Sequence, residues 1–169
     1  MENCGLMYNK IINNDEVVRF IDIKKSVGKT IVFTNGVYDL LHFGHVKYLR
    51  ESKSYGDCLV VAINSDKSVR QLKGKNRPII CQEERAEVLS SLEFVDYVTI
   101  FDEQTPIKLI ERIKPDFLIK GSDWESDKIV GKDFVESYGG KIIRIKLIEG
   151  ISTTKIIEKI MKMNSRSFN

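Results

Sequence analysis

Thirteen residues, Phe33 to His45 (FTNGVYDLLHFGH), hold both histidines of the chain, three positions apart around Gly44. Two imidazoles at i and i+3 share one face at a helix start, where free backbone N–H groups also point, and such a cluster suits an anion, above all phosphate. Gly36 permits the turn before them, and Gly44, without a side chain, lets a flat group or a phosphate approach the helix backbone. A histidine pair is also half of a zinc site, but no third ligand stands at a telling spacing. Further along, LKGKNRP carries Lys73 and Lys75 around a glycine. Such a loop can close over a polyphosphate, where an ammonium counts for more once water is excluded, or it is simply a solvated basic loop. Lys120, Gly121 and Asp123 follow an apolar run directly, and Ser152, Thr153 and Thr154 place three hydroxyls at the start of the last helical pattern, more than an N-cap requires.

These residues need a frame that brings them to one place. Short β-branched runs at 30–34, 58–64, 94–101, 117–120 and 141–147 predict strands, each mostly apolar rather than alternating, as strands covered on both faces are. Helical patterns near 43–54, 66–72, 82–92, 105–113, 127–138 and 153–163 lie between and after them. The βα alternation predicts an α/β fold, a three-layer sandwich on a mostly parallel five-stranded sheet. In such a sheet ligands bind beyond the carboxyl ends of the strands, and the residues after the first and fourth strands open there. Residues 15–26 predict one further helix, with Asp15 and Glu16 at its positive end and Lys24 and Lys25 at its negative end, serving packing or a partner. The expected division is a helical extension at 1–28 and the α/β domain at 29–169.

The composition narrows the functional classes. A chain of 169 residues is the size of one domain. Its net charge of +3, from 27 basic and 24 acidic residues, lacks the dense basic face of a nucleic-acid binder. Three cysteines, Cys4, Cys58 and Cys81, with no CxxC spacing argue against a disulfide framework and suit a reducing cytoplasm. No apolar signal segment opens the chain, and the longest apolar run, CLVVAI, is far short of a membrane span, so a soluble cytoplasmic protein is expected.

TNGVYDLLHFGH is similar to the signature of the HxGH nucleotidyltransferase superfamily, the cytidylyltransferase-like enzymes, with His42-Phe43-Gly44-His45 as the motif. The resemblance runs on through AINSD, LKGKNRP, QEERAEVLSSLEFVDYV, KPDFLIKGSDW and EGISTTKII, roughly residues 29–160. It implies a Rossmann-like sandwich in which His42, His45, Lys73 and Lys75 are catalytic. It places Thr34, Asn35, Gly36, Tyr38, Asp39, Gly44, Asp66, Lys120, Gly121, Asp123, Ser152, Thr153 and Thr154 on the nucleotide, and Arg85 and Trp124 on the acceptor. Several roles stay open on the residues alone. Arg85 clamps an acidic substrate or pairs with a neighbouring acid such as Glu84, Trp124 walls the site or caps the core, and Asp39, Asp66 and Asp123 serve a metal, a ligand hydroxyl or a helix cap.

The chain looks most like the adenylyltransferase domain that makes ADP-heptose from heptose 1-phosphate. Glycerol-3-phosphate cytidylyltransferases are the next resemblance. Glu93 stands where the latter carry arginine, and Leu147-Ile148-Glu149-Gly150 lacks the arginine of their Arg-Thr-Glu-Gly signature, which favours ATP and a sugar 1-phosphate. GISTT matches the cytidylyltransferases, and Trp124 replaces the tyrosine of the heptose enzymes, which keeps CTP in view. The family implies Mg²⁺, a possible homodimer and a separate upstream sugar kinase. A nucleotide-binding scaffold without turnover is the non-enzyme alternative.

Overall fold

The computed structural model describes residues 9–125 and 128–166. Its sheet has five strands, β1 (Ile31–Gly36), β2 (Cys58–Asn64), β3 (Tyr97–Phe101), β4 (Phe117–Gly121) and β5 (Lys141–Ile145), in the order β3-β2-β1-β4-β5. Every strand pair is parallel, where the sequence predicts only a mostly parallel sheet. The order reverses between β1 and β4, so the crevice at the carboxyl ends of these two strands is the switch point where open α/β sheets bind ligands.

Helices α1 (Asn14–Ser26), α5 (Ile107–Ile113) and α6 (Lys132–Ser137) cover one face, and α2 (Phe43–Lys53) and α4 (Gln82–Ser90) the other. Helix α3 (Asp66–Lys73) follows β2, and α7 (Thr153–Arg166) ends the described chain. Alternate strand residues feed the two cores. Ile31, Phe33, Val60 and Leu118 pack with α1 and α5, while Val32, Val61, Ile63 and Ile119 pack with α2 and α4. This is why the strands read as continuous apolar runs.

Two elements differ from the sequence reading. The run at 94–101 yields a strand only from Tyr97, because Val95 N–H bonds the Leu92 carbonyl in the turn after α4. The helix expected at 127–138 is α6 from Lys132, since Gly131 has φ 87°, a left-handed conformation outside any α-helix. Residues 126 and 127 of that stretch lie outside the described residues.

Helix α1 is built into the core. Asn13 and Glu16 form a reciprocal capping box at its start. Val17 and Ile21 are fully buried against α5 and the sheet, worth about 2 kcal/mol each by area. Lys25 Nζ donates to the Ile113 and Lys114 carbonyls at 2.7 and 2.5 Å, closing the carboxyl end of α5. Just before α1, Ile12 N–H bonds the Val98 carbonyl and Val98 N–H bonds the Lys10 carbonyl, so this short extended segment runs along the edge of β3.

The amino end of the sheet is closed by three aspartates. Asp57 accepts from Thr30 N–H at 2.9 Å, Asp96 from Leu59 N–H at 2.7 Å and Asp116 from Ile31 N–H at 2.7 Å. Lys29 pairs with Asp57 and Lys53 with Asp96.

Candidate active site

The turn from β1 into α2 is built around Tyr38, whose φ of 49° is rare for a residue with a side chain. Its ring lies over Gly36, where an added Cβ would come within 2.9 Å of it. The same ring meets His45 edge to face at 5.1 Å. Below the turn, the buried Thr34 hydroxyl donates to the Ile119 carbonyl and accepts from the Tyr48 hydroxyl at 2.8 Å, tying β1 to β4 and α2. Burial pushes both tyrosine hydroxyls well above their ordinary pKa, so they stay protonated.

His42 caps α2. Its Nδ1 lies 3.4 Å from His45 N–H, a long contact, and the two rings stack at 3.8 Å. Burial and then the neighbouring His42 lower the His45 pKa to about 4, against a smaller opposing contribution from the Leu40 carbonyl, and burial lowers that of His42 as well. Both imidazoles are therefore neutral at pH 7. His45 Nδ1 is buried without a well-formed hydrogen bond, the one such side-chain atom among the described residues. An added Cβ on Gly44 would lie 3.1 Å from the His42 ring and 3.8 Å from Ile151 Cγ2, so the starts of α2 and α7 approach each other here. Ser152 Oγ caps α7 by accepting from Lys155 N–H at 3.2 Å, with Thr153 and Thr154 in the first turn.

The basic loop after α3 is anchored beside this turn. Asp39, buried, accepts from Ile79 N–H at 2.7 Å and Ile80 N–H at 3.1 Å and pairs with Arg77 at 2.6 Å. Three residues before His42, its carboxylate is thus spent on holding the loop rather than turned to a ligand. Lys73 and Lys75 are exposed on that loop, with no ion pair to a described residue. Asp66 also serves the protein, pairing with Arg85 at 2.8 Å while its N–H donates to Gln82 Oε1.

Arg85 departs from the exposed acceptor clamp that its sequence position suggests. It is 2% exposed, and its guanidinium donates to the carbonyls of Ile80, Val37 and Asn64 and to Asp66. It is a strut joining the turn after β1, the end of β2 and the basic loop. Glu84 is not its partner. Sequence reasoning placed Arg77 only within the basic loop and missed Tyr48 and Gln82 as supports of the site; the tyrosine three residues beyond His45 on a core-facing helix was the one local signal.

Across the switch point, Lys120 ends β4 almost wholly buried, with Nζ on the Asn35 side-chain carbonyl and 5.9 Å from the Trp124 ring. Burial brings its pKa down to about 8. Trp124 is half exposed, and its N–H turns back to the Gly121 carbonyl at 3.2 Å. Asp123 folds over Gly121, whose missing Cβ leaves room for its carboxylate.

A neutral imidazole pair between two helix starts, with the basic loop anchored to the same turn through Asp39, has the chemistry that suits a polyphosphate. The cytidylyltransferase-like family model matches residues 33–159, which span all these groups. The chain belongs to the cytidylyltransferase-like family. The bifunctional protein HldE of Geobacter metallireducens is 55% identical over 90% of this chain and 31% of its own length, and that of Campylobacter fetus 52% identical over 89% and 31%. The chain thus spans about a third of these curated relatives. A solved lipopolysaccharide core biosynthesis protein from Thermoplasma volcanium is 32% identical, with a TM-score of 0.59 over 72% of this chain and 98% of that one. Pantoate-beta-alanine ligase from Francisella tularensis, at 19% identity and a TM-score of 0.57 over 86% of this chain and 74% of that one, shares the fold. Among the described residues no helix is long and apolar enough to cross a membrane.

Proposed function

We propose that this cytidylyltransferase-like chain joins the AMP part of ATP to the phosphate of a heptose 1-phosphate, giving ADP-heptose and pyrophosphate. The observation that carries the reading is the stacked pair His42 and His45 at the start of α2. A phosphate oxygen of the acceptor attacks the α-phosphorus in line, and the bond from that phosphorus to the bridging oxygen of the leaving pyrophosphate breaks. The nucleophile is already ionised at neutral pH, so no general base is needed. His42, whose Nδ1 accepts from His45 N–H, keeps its proton on Nε2 as a donor to the charge that grows on the phosphoryl oxygens, and that charge favours the protonated, donating form of His45. The exposed Lys73 and Lys75 meet the β- and γ-phosphates as their loop closes, and the α7 start with Ser152, Thr153 and Thr154 adds N–H and hydroxyl donors.

Mg²⁺ fits this site as a companion of the triphosphate. Asp39 and Asp66 are engaged by arginines, and among the described residues no three His, Cys, Asp or Glu side chains gather into a cage. That donor set suits an ion carried mainly by phosphate oxygens, with Asp123, on the turn after β4, the carboxylate that would join them. When bound it supplies charge shielding on the phosphates.

ATP and a sugar phosphate are preferred over CTP and glycerol 3-phosphate on Glu93 and Leu147-Ile148-Glu149-Gly150, which lack the arginines of the cytidylyltransferases, and on the high identity to the HldE proteins. We assign the making of the sugar 1-phosphate to a sugar kinase activity; the HldE relatives, named bifunctional, extend well beyond the third of their length matched here. The test is pyrophosphate release with Mg²⁺ and either ATP or CTP, each offered heptose 1-phosphate or glycerol 3-phosphate, with His45→Ala as control. Turnover with ATP and the heptose phosphate, lost in the control, is the expected result; turnover only with CTP, or none with any pair, overturns the assignment.

A further inference from the structure

We propose that Lys120 is the acceptor-binding cation, released from Asn35 to bind the acceptor's phosphate dianion on the side of the switch point away from the histidines. The inference rests on the nucleotidyl-transfer reading and names the group within that site that holds the second substrate.

Its basis is an unbalanced buried charge. Lys120 is 7% exposed, yet no carboxylate of the described residues lies within ion-pair distance of its Nζ, which has only the neutral Asn35 side chain and the face of Trp124. An ammonium held this way is costly until an anion reaches it. Desolvation alone accounts for its lowered pKa, with no opposing carboxylate.

The register of the sheet fixes the side. Thr34 and Ile119 are level and belong to the face of α2. One step further, Asn35 and Lys120 are level and turn to the opposite face. Arg144 of β5 is level with Lys120 and donates to the Ser122 carbonyl at 2.8 Å, so a second cation stands on the same rim. The charged residues on the neighbouring strand and the following turn are Arg144 and Asp123, neither of them an ion-pair partner of the ammonium, and β1 contributes only the uncharged Asn35. In-line displacement puts the attacking and leaving oxygens on opposite sides of the α-phosphorus. With the imidazoles and the starts of α2 and α7 holding the triphosphate on one side, the buried ammonium lies on the side of the attacking phosphate. Trp124, half exposed beside it, is placed to stack on the acceptor's sugar ring.

The experiment compares the wild-type chain with Lys120→Met and Lys120→Arg in steady-state pyrophosphate release, with heptose 1-phosphate and ATP varied in turn. Methionine matches the lysine stem and removes a buried unpaired charge, and thermal unfolding checks that it folds. The KM for the acceptor is expected to rise by about tenfold or more in Lys120→Met, the loss of a charge-assisted contact. The KM for ATP and kcat at saturating acceptor should stay within about threefold. Lys120→Arg should recover part of the loss. Acceptor KM in the wild type should rise as pH passes about 8, and that rise should be absent in Lys120→Met. A purely structural lysine would move neither the substrate split nor the pH profile.

Trp124, the only tryptophan, gives a readout that does not need turnover. Its fluorescence should respond to the sugar phosphate in the wild type and not in Lys120→Met. If the wild type binds the sugar phosphate in this way but releases no pyrophosphate, the reaction assignment fails and the role of Lys120 stands. Equal acceptor binding by both proteins, or a loss confined to ATP, overturns the proposal.

Discussion

The two ends of the sheet are built on opposite rules. At the amino end, Asp57, Asp96 and Asp116 each accept from a backbone N–H at or beside a strand start, and Lys29 and Lys53 balance two of them. At the carboxyl end, among the described residues, His45 Nδ1 has no well-formed hydrogen bond and Lys120 has no carboxylate partner. Satisfied polar groups stabilise a fold, whereas unsatisfied ones cost stability and persist where a ligand completes them. The contrast separates the scaffold from the working surface without reference to any relative.

Substitutions at the two ends should therefore separate activity from stability. The largest effect is expected from His45→Ala, which in the proposed reaction removes a donor to the reacting phosphate and should lower kcat by about a hundredfold, or roughly 3 kcal/mol, with little change in melting temperature. Steady-state kinetics and thermal unfolding of the same preparation check it; a large loss of stability with intact kcat would place His45 with the scaffold.

Acid should show the next effect. His45 has a folded pKa near 4 against an ordinary 6.5. The unfolded chain therefore takes up a proton at this residue between about pH 6.5 and 4 that the folded one refuses, and stability falls as pH falls across that window, by up to about 3 kcal/mol. Urea unfolding at stepped pH should show the slope in the wild type and a shallower one in His45→Gln. A saturating polyphosphate should also reduce the slope, because its charge favours the protonated ring.

Asp39 tests whether the boundary between the two ends is sharp. It lies at the carboxyl end but is fully paired, like the aspartates of the amino end. Asp39→Ala should cost about 2 kcal/mol of stability by stranding Arg77 and two N–H groups, and should raise the KM for ATP because the loop of Lys73 and Lys75 loses its anchor. Asp96→Ala should cost about 1 kcal/mol and leave both KM values unchanged. An Asp96 variant that altered substrate affinity would break the division.

Much of this was legible in the sequence because local patterns carry it. The β-branched runs, the helix starts and His42-Phe43-Gly44-His45 each depend on neighbours a few residues away. Arg85 shows what was not legible: its partners Val37 and Asn64 are distant in the chain, and only their convergence turns an apparent surface arginine into a buried strut. Asp39 was unreadable for the same reason, its partners lying about 40 residues on at Ile79 and Ile80. Lys120 was placed at the site by its position at the carboxyl end of β4. Its burial became visible only once β1 and β5 stood on either side of it.

The short stretch ahead of α1 that follows β3 also bears on how the molecule behaves in a crowded solution. By pairing Lys10 and Ile12 with Val98 it occupies backbone groups that would otherwise invite a foreign strand. At the other border of the sheet, β5 exposes Lys141 and Arg144, charges that repel an identical neighbour. One flank is shielded by its own chain and the other by charge, so strand-to-strand clumping between copies is opposed on both.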